Sequence, residues 1–193
     1  MTTVYFVTHP EVRIDPAIPV PDWQLSEPGW RRIRSFCARP ELSRVSDVHV
    51  SNERKALDCA EALMAARRLS FRIDPRLGEN DRSSTGYVAP PEFWEIVARF
   101  FDRPHESILG WERAADAQNR IREAVWDCVA NGSGGGDVCI FSHGGVGTLF
   151  LCDLLNEPIS RVRSQPISGG GCYFAFVAET KALVHDWRDI AQE

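Results

Sequence analysis

The sequence predicts an α/β fold, a three-layer sandwich with a mostly parallel central sheet flanked by helices. Three observations predict it. Short apolar runs rich in β-branched and aromatic residues alternate with segments of helical period, the pattern of strands joined by crossover helices. Two of those runs, VYFVTHP and CIFSHGG, stop at a histidine followed by Pro or Gly. Proline cannot continue a central ladder, so His9 stands at a strand's C-terminal tip, where open α/β sheets bind ligands. Finally, 193 residues with 44% hydrophobic and 25% charged content suit one domain, residues 1–193, large enough to bury a core.

The elements follow in order. Thr3 to Thr8 reads as the first strand. A Pro-rich loop, Pro16 to Asp22, leads to a helix from Ser26 to about Ala38, with Ser26 as its N-cap. Asp47 to Val50 is a second short strand that ends at Ser51. Arg54 to Arg67 reads as a helix, because Ala56, Cys59, Ala60 and Leu63 share one face. Phe71 to Ile73 is a brief strand, and Pro75 to Pro91 a long polar loop of the kind that serves function or moves. Helices are expected over Glu92 to Phe101 and Glu112 to Val129, with residues 80–112 forming a small cap. NGSGGGD, Asn131 to Asp137, is a flexible turn. Val138 to Ser142 is a buried strand and Val146 to Leu155 a helix. Cys172 to Val177 and Ala182 to Trp187 close the chain as a hairpin around Glu179-Thr180-Lys181, an antiparallel edge.

Composition excludes several classes. The formal charge is -5 and no Lys/Arg block stands out, whereas general nucleic-acid binding needs a basic face. A small anion is still admissible, because a local cationic pocket can sit on an acidic protein. No run approaches the ~18 apolar residues of a membrane span, and the N-terminus has no signal-peptide pattern. The six cysteines form no CxxC pair and lie mostly in apolar segments. They read as reduced thiols of a cytoplasmic protein.

The chemistry concentrates at two strand tips. His143 follows a strand and precedes a helix, and Gly144 and Gly145 let backbone approach a ligand at a helix N-terminus, which favours an anion. A dinucleotide fingerprint fails at Phe150, a nucleophile elbow fails at Ile140, and no histidine spacing makes a metal site. Arg54 and Lys55 open a helix after the second strand, where cations oppose the helix dipole and make sense facing an anion. Glu79 stands in the long loop.

These pieces, in this order, resemble the histidine phosphatase superfamily, the phosphoglycerate mutase-like family. Its pattern is Arg-His-Gly after a strand, Ser-Pro-Leu-x-Arg-Ala at a helix start, a Leu-x-Glu loop and Ser-His-Gly-Gly near the end. The counterparts are Thr8-His9-Pro10, Ser51-Asn52-Glu53-Arg54-Lys55-Ala56, Leu77-Gly78-Glu79 and Ser142-His143-Gly144-Gly145. Leu25-Ser26-Glu27-Pro28-Gly29, Gly110-Trp111-Glu112 and Arg120 add smaller matches. The resemblance implies a phosphomonoester hydrolase with His9 as a nucleophile that carries a phosphohistidine. Glu79 would protonate the leaving oxygen and then activate water. His143 would stabilise the transferring oxygens, with Thr8, Arg54, Lys55 and Gly144 at the phosphate. No metal or cofactor is implied. The partner would be a small phosphorylated substrate or a phosphoprotein.

The departures from the pattern are chemical. Thr8 replaces an arginine whose fork binds phosphate bidentately, Lys55 keeps a charge without the fork, and Pro10 deletes an N–H. They support an alternative, a relative of weak or no catalytic activity that binds a phosphorylated ligand or partner. A nucleotide-binding α/β protein using the His143 turn is a third reading.

Overall fold

The computed structural model describes residues 1–132 and 135–192. Residues 133 and 134, within the expected NGSGGGD turn, and residue 193 lie outside the described residues. Six strands form one sheet: β1 (Thr3–Thr8), β2 (Val45–Val50), β3 (Arg72–Ile73), β4 (Asp137–Ser142), β5 (Cys172–Val177) and β6 (Leu183–Asp189). The helices are α1 (Glu27–Cys37), α2 (Arg54–Arg67), α3 (Glu92–Asp102), α4 (Ala114–Ala130) and α5 (Gly144–Leu154).

The strand order is β3-β2-β4-β1-β5-β6. β1, β4, β2 and β3 run parallel, while β5 and β6 join antiparallel at one edge. The mostly parallel sheet with an antiparallel edge is therefore as the sequence predicts. Side chains alternate across it, as the two-residue period requires. Val4, Phe6, Val138, Ile140, Phe174 and Phe176 face α4 and α5 in one core. Val7, Cys139, Phe141 and Tyr173 face α1 and α2 in the other. The two cores make the three layers. All six cysteines are free and buried.

Local chemistry sets the boundaries. Ser26 caps α1, its hydroxyl accepting the Gly29 N–H at 3.2 Å, with Pro28 in the first turn. α2 ends at Arg68, which adopts a left-handed conformation at φ 58°. α4 starts two residues later than expected, because Glu112 is drawn out of the helix to pair with Arg120 at 2.7 Å. α5 starts two residues earlier than expected, at Gly144 rather than Val146. The reason lies in Glu79, described below. Among the described residues no helix is long and apolar enough to cross a membrane.

The register positions the site. Thr8 lies level with Ser142, and Val50 with Phe141. The C-terminal tips of β1, β2 and β4 therefore come out side by side at the sheet's centre, carrying His9, Ser51 and His143.

Candidate active site

His9 ends β1, and its backbone N–H still reaches Ser142 O at 3.3 Å. Its ring Nδ1 lies 2.9 Å from Pro10 O. A carbonyl only accepts, so Nδ1 carries the proton and Nε2 keeps its lone pair. Burial pushes this imidazole down to about 3, helped by His143 and Lys55. At neutral pH it is an uncharged base. The carbonyl behind it is held by Gly171 N–H at 2.8 Å. A Cβ on Gly170, where φ is +78°, would fall 2.2 Å from that same oxygen, so only glycine fits there.

His143 is fully buried at the head of α5. Its ring stands edge-on to His9, centroids 5.3 Å apart. Its Nε2 lies 2.9 Å from Ser51 Oγ and 3.3 Å from Glu53 Oε1, while its buried Nδ1 has no hydrogen-bond partner among the described residues. Burial lowers its pKa, with Glu53 opposing.

Glu79 fills the anion site at the N-terminus of α5. Its Oε2 accepts from Gly145 N–H and its Oε1 from Val146 N–H, both at 3.0 Å. The carboxylate thus caps the helix, which explains why α5 begins at the two glycines. Gly145 permits this approach: a Cβ there would lie 2.6 Å from Glu79 Oε1. Burial pushes the Glu79 carboxyl up, but Arg82 at 3.0 Å, His143 and the Gly145 N–H together hold it below its ordinary value.

The other expected residues divide. Lys55 is buried beside the histidines, its Nζ 2.5 Å from Glu53 Oε2 and 2.9 Å from Val20 O. Arg54 is turned to acids of its own helix, Asp58 at 2.6 Å and Glu61 at 3.2 Å. Thr8 is buried; its hydroxyl accepts the Cys172 N–H at 3.0 Å and lies 2.8 Å from Gln165 Oε1. The Gln165 amide nitrogen packs on Gly144, where a Cβ would meet it at 2.3 Å. The structure thus brings His9, His143, Glu79, Lys55, Thr8 and Gly144 together and leaves Arg54 apart.

Sequence reasoning missed Glu53, Arg82 and Gln165. Glu53 Oε1 accepts the Glu79 N–H at 2.8 Å and faces His143, while its Oε2 holds Lys55. Its carboxyl is held far below its ordinary value; burial opposes this, and His143 and Lys55 outweigh burial. Arg82 had a faint signal, a cation three residues after Glu79. Gln165 had none, since it lies 157 residues from Thr8. No group of three or more metal-ligating side chains is present among the described residues.

Chemically, the arrangement is an uncharged nucleophile with its lone pair free, a second imidazole beside it, and a carboxylate at a helix head. A profile of the histidine phosphatase superfamily (branch 1) matches residues 4–189. Among solved structures, YhfR of Bacillus stearothermophilus superposes with TM-score 0.78 at 23% identity, covering 96% of this chain and 95% of that one. A mycobacterial glucosyl-3-phosphoglycerate phosphatase in complex with inorganic phosphate gives 0.77 at 18% identity, covering 100% of both chains. A putative alpha-ribazole-5'-P phosphatase of Escherichia coli gives 0.74 at 17%, covering 100% of this chain and 98% of that one. The search of curated proteins finds no match.

Proposed function

This chain belongs to the histidine phosphatase superfamily, and from that premise we propose that it hydrolyses phosphomonoesters through a phosphohistidine at His9. The observation that carries the reading is the His9 ring. Its Nδ1 is tied to Pro10 O at 2.9 Å, so Nε2 keeps its lone pair on an imidazole that stays uncharged at neutral pH.

Nε2 attacks phosphorus and the ester P–O bond breaks. Glu79 is the carboxyl beside the histidine pair through which a proton reaches the leaving oxygen. Water then attacks the phosphohistidine, the P–N bond breaks, and Glu79 takes the water's proton. His143 and Lys55 steady the phosphoryl oxygens. The substrate is a small phosphorylated compound or a phosphoprotein, and six free, buried thiols fit a reducing cytoplasm.

Hydrolysis of a generic aryl phosphate between pH 5 and 8 without added metal, native protein beside His9→Ala, tests this. We expect turnover in the native protein and its loss in the variant. Acid-labile phosphate on the native chain after a rapid quench in base is expected as well. Turnover that survives in His9→Ala would sink the phosphohistidine route.

One observation favours a second reading, a relative that binds a phosphorylated ligand without turning it over. The Thr8 hydroxyl is engaged by Cys172 and Gln165, and Lys55 is held by Glu53. Phosphate binding with no hydrolysis in either protein would favour it.

A further inference from the structure

We propose that this pocket takes its phosphoryl group as the monoanion, because the Glu53 carboxylate already holds the place of one negative charge between Lys55, His143 and the Glu79 N–H. The inference deepens the phosphatase reading and rests on it.

Glu53 stands where the family pattern Ser-Pro-Leu-x-Arg-Ala has an uncharged leucine. It is placed as a bound anion would be. Its Oε2 is 2.5 Å from Lys55 Nζ, its Oε1 is 3.3 Å from His143 Nε2, and the Glu79 N–H donates to Oε1 at 2.8 Å. The charges around it come from each neighbouring element. The tip of β1 presents His9, and the head of α2 presents Glu53 and Lys55. The loop after β3 presents Glu79 and Arg82, α4 presents Arg120, and the head of α5 presents His143. Lys55 is held by Glu53, Arg82 by Glu79, and Arg120 by Glu112. Both imidazoles have lowered pKa values and stay uncharged at neutral pH. The cluster is therefore close to electrically neutral.

A phosphoryl dianion would bring two charges and only acceptor oxygens to a space holding two carboxylates, which also only accept. A monoanion brings one charge and one P–OH donor. That donor completes the chemistry. Glu79 is held as an anion, so it starts without a proton to give. The P–OH proton passes to Glu79 and on to the leaving oxygen as His9 Nε2 forms its bond to phosphorus and the ester bond breaks. A neutral alcohol leaves, and the phosphohistidine retains a protonated Nδ1 and two phosphoryl charges. Water restores neutral His9 and releases phosphate as the monoanion, so protons and charge balance.

Calorimetric titration of inorganic phosphate into native protein and Glu53→Gln, at about pH 5.5 and about pH 8.5, tests this, because the anion changes from almost wholly singly to almost wholly doubly charged across that range. Native protein is expected to bind at least about tenfold more weakly at the higher pH, because less than about a tenth of the phosphate is then the monoanion. Glu53→Gln keeps an oxygen for the Glu79 N–H and is expected to regain about that factor at the higher pH. Equal native affinity at both pH values overturns the proposal, and this arm needs no variant to fold. So does a variant that loses affinity at the lower pH and gains none at the higher, since His143 would then be the titrating group. Turnover of an aryl phosphate with either of those results leaves the phosphatase reading standing. No phosphate binding by either protein overturns both.

Discussion

At the scale of single residues, Thr8 decides how the tip of β1 is anchored. An arginine in its place would reach toward phosphate; the threonine hydroxyl instead ties β1 to β5 through Cys172 N–H at 3.0 Å and to Gln165 at 2.8 Å. The Cys172 N–H bond is buried while the Gln165 contact is only part-buried, so the isosteric Thr8→Val strands one buried backbone donor. Such a group costs about 1–3 kcal/mol when left unpaired. Urea unfolding of Thr8→Val should show a loss in that range, and a variant as stable as native protein would mean that water replaces the hydroxyl. Gly145 makes a sharper test of the helix head. A methyl there would fall 2.6 Å from Glu79 Oε1, so Gly145→Ala must push the carboxylate off α5. We expect aryl phosphate turnover to fall by about a hundredfold to ten-thousandfold, the scale of a lost acid–base group, with a much smaller change in stability. Unchanged turnover would remove Glu79 from the proton path.

At the scale of elements, α1 supports the nucleophile from behind. Arg32, on this helix, donates to Gly170 O at 3.2 Å and Gly171 O at 3.1 Å, and Gly171 N–H in turn holds His9 O at 2.8 Å. The helix begins at the Ser26 cap. Ser26→Ala should therefore cost about 1 kcal/mol of stability, read from a denaturant midpoint, and an unchanged midpoint would show that the Pro28 turn suffices. Elements of this kind were legible in the sequence because their signals are local: Ser before Glu-Pro-Gly, period-two apolar runs, a histidine stopping a strand. The start of β2 was not. Val45 and Ser46 lay outside the expected strand, which was read from Asp47, but a register shift at Val45/Asp47 lets β2 begin at Val45. The head of α5 was misread for a related reason. Two glycines argue against a helix until Glu79, from a distant loop, supplies its cap. His9, Glu79 and His143 could be found from strand tips and motif order. Glu53 and Gln165 could not, since each matters through contacts that only the folded register creates.

At the scale of the whole molecule, the same burial that keeps the site neutral makes the fold sensitive to acid. The pKa of His9 is lowered to about 3 and that of His143 is lowered too, in both cases first by burial. An unfolded histidine titrates near ~6.5, so below that pH the unfolded chain binds protons that the folded chain refuses. Their contribution to stability is complete above ~6.5 and is lost as pH falls toward the folded values. Glu53 and Glu79 act in the same direction at lower pH. Their folded pKa values are also depressed, so their stabilisation is complete above the ordinary carboxylate value of ~4.3 and disappears below it. The melting temperature should therefore be flat from pH 8 to 7 and fall steadily from pH 6.5 to 5. His9→Gln removes one of the refused protons and should fall less over that interval. Parallel curves for the two proteins would mean that His9 does not carry the acid sensitivity. Set against a substrate bound as the monoanion, this makes activity a compromise. Acid supplies the protonated phosphoryl group while weakening the fold that holds Glu53 and His143 in contact. The turnover maximum should then lie on the acid side of neutrality, above the pH at which the melting curve reaches the assay temperature. Destabilising α1 through Ser26→Ala should move that maximum upward without changing affinity at the higher pH.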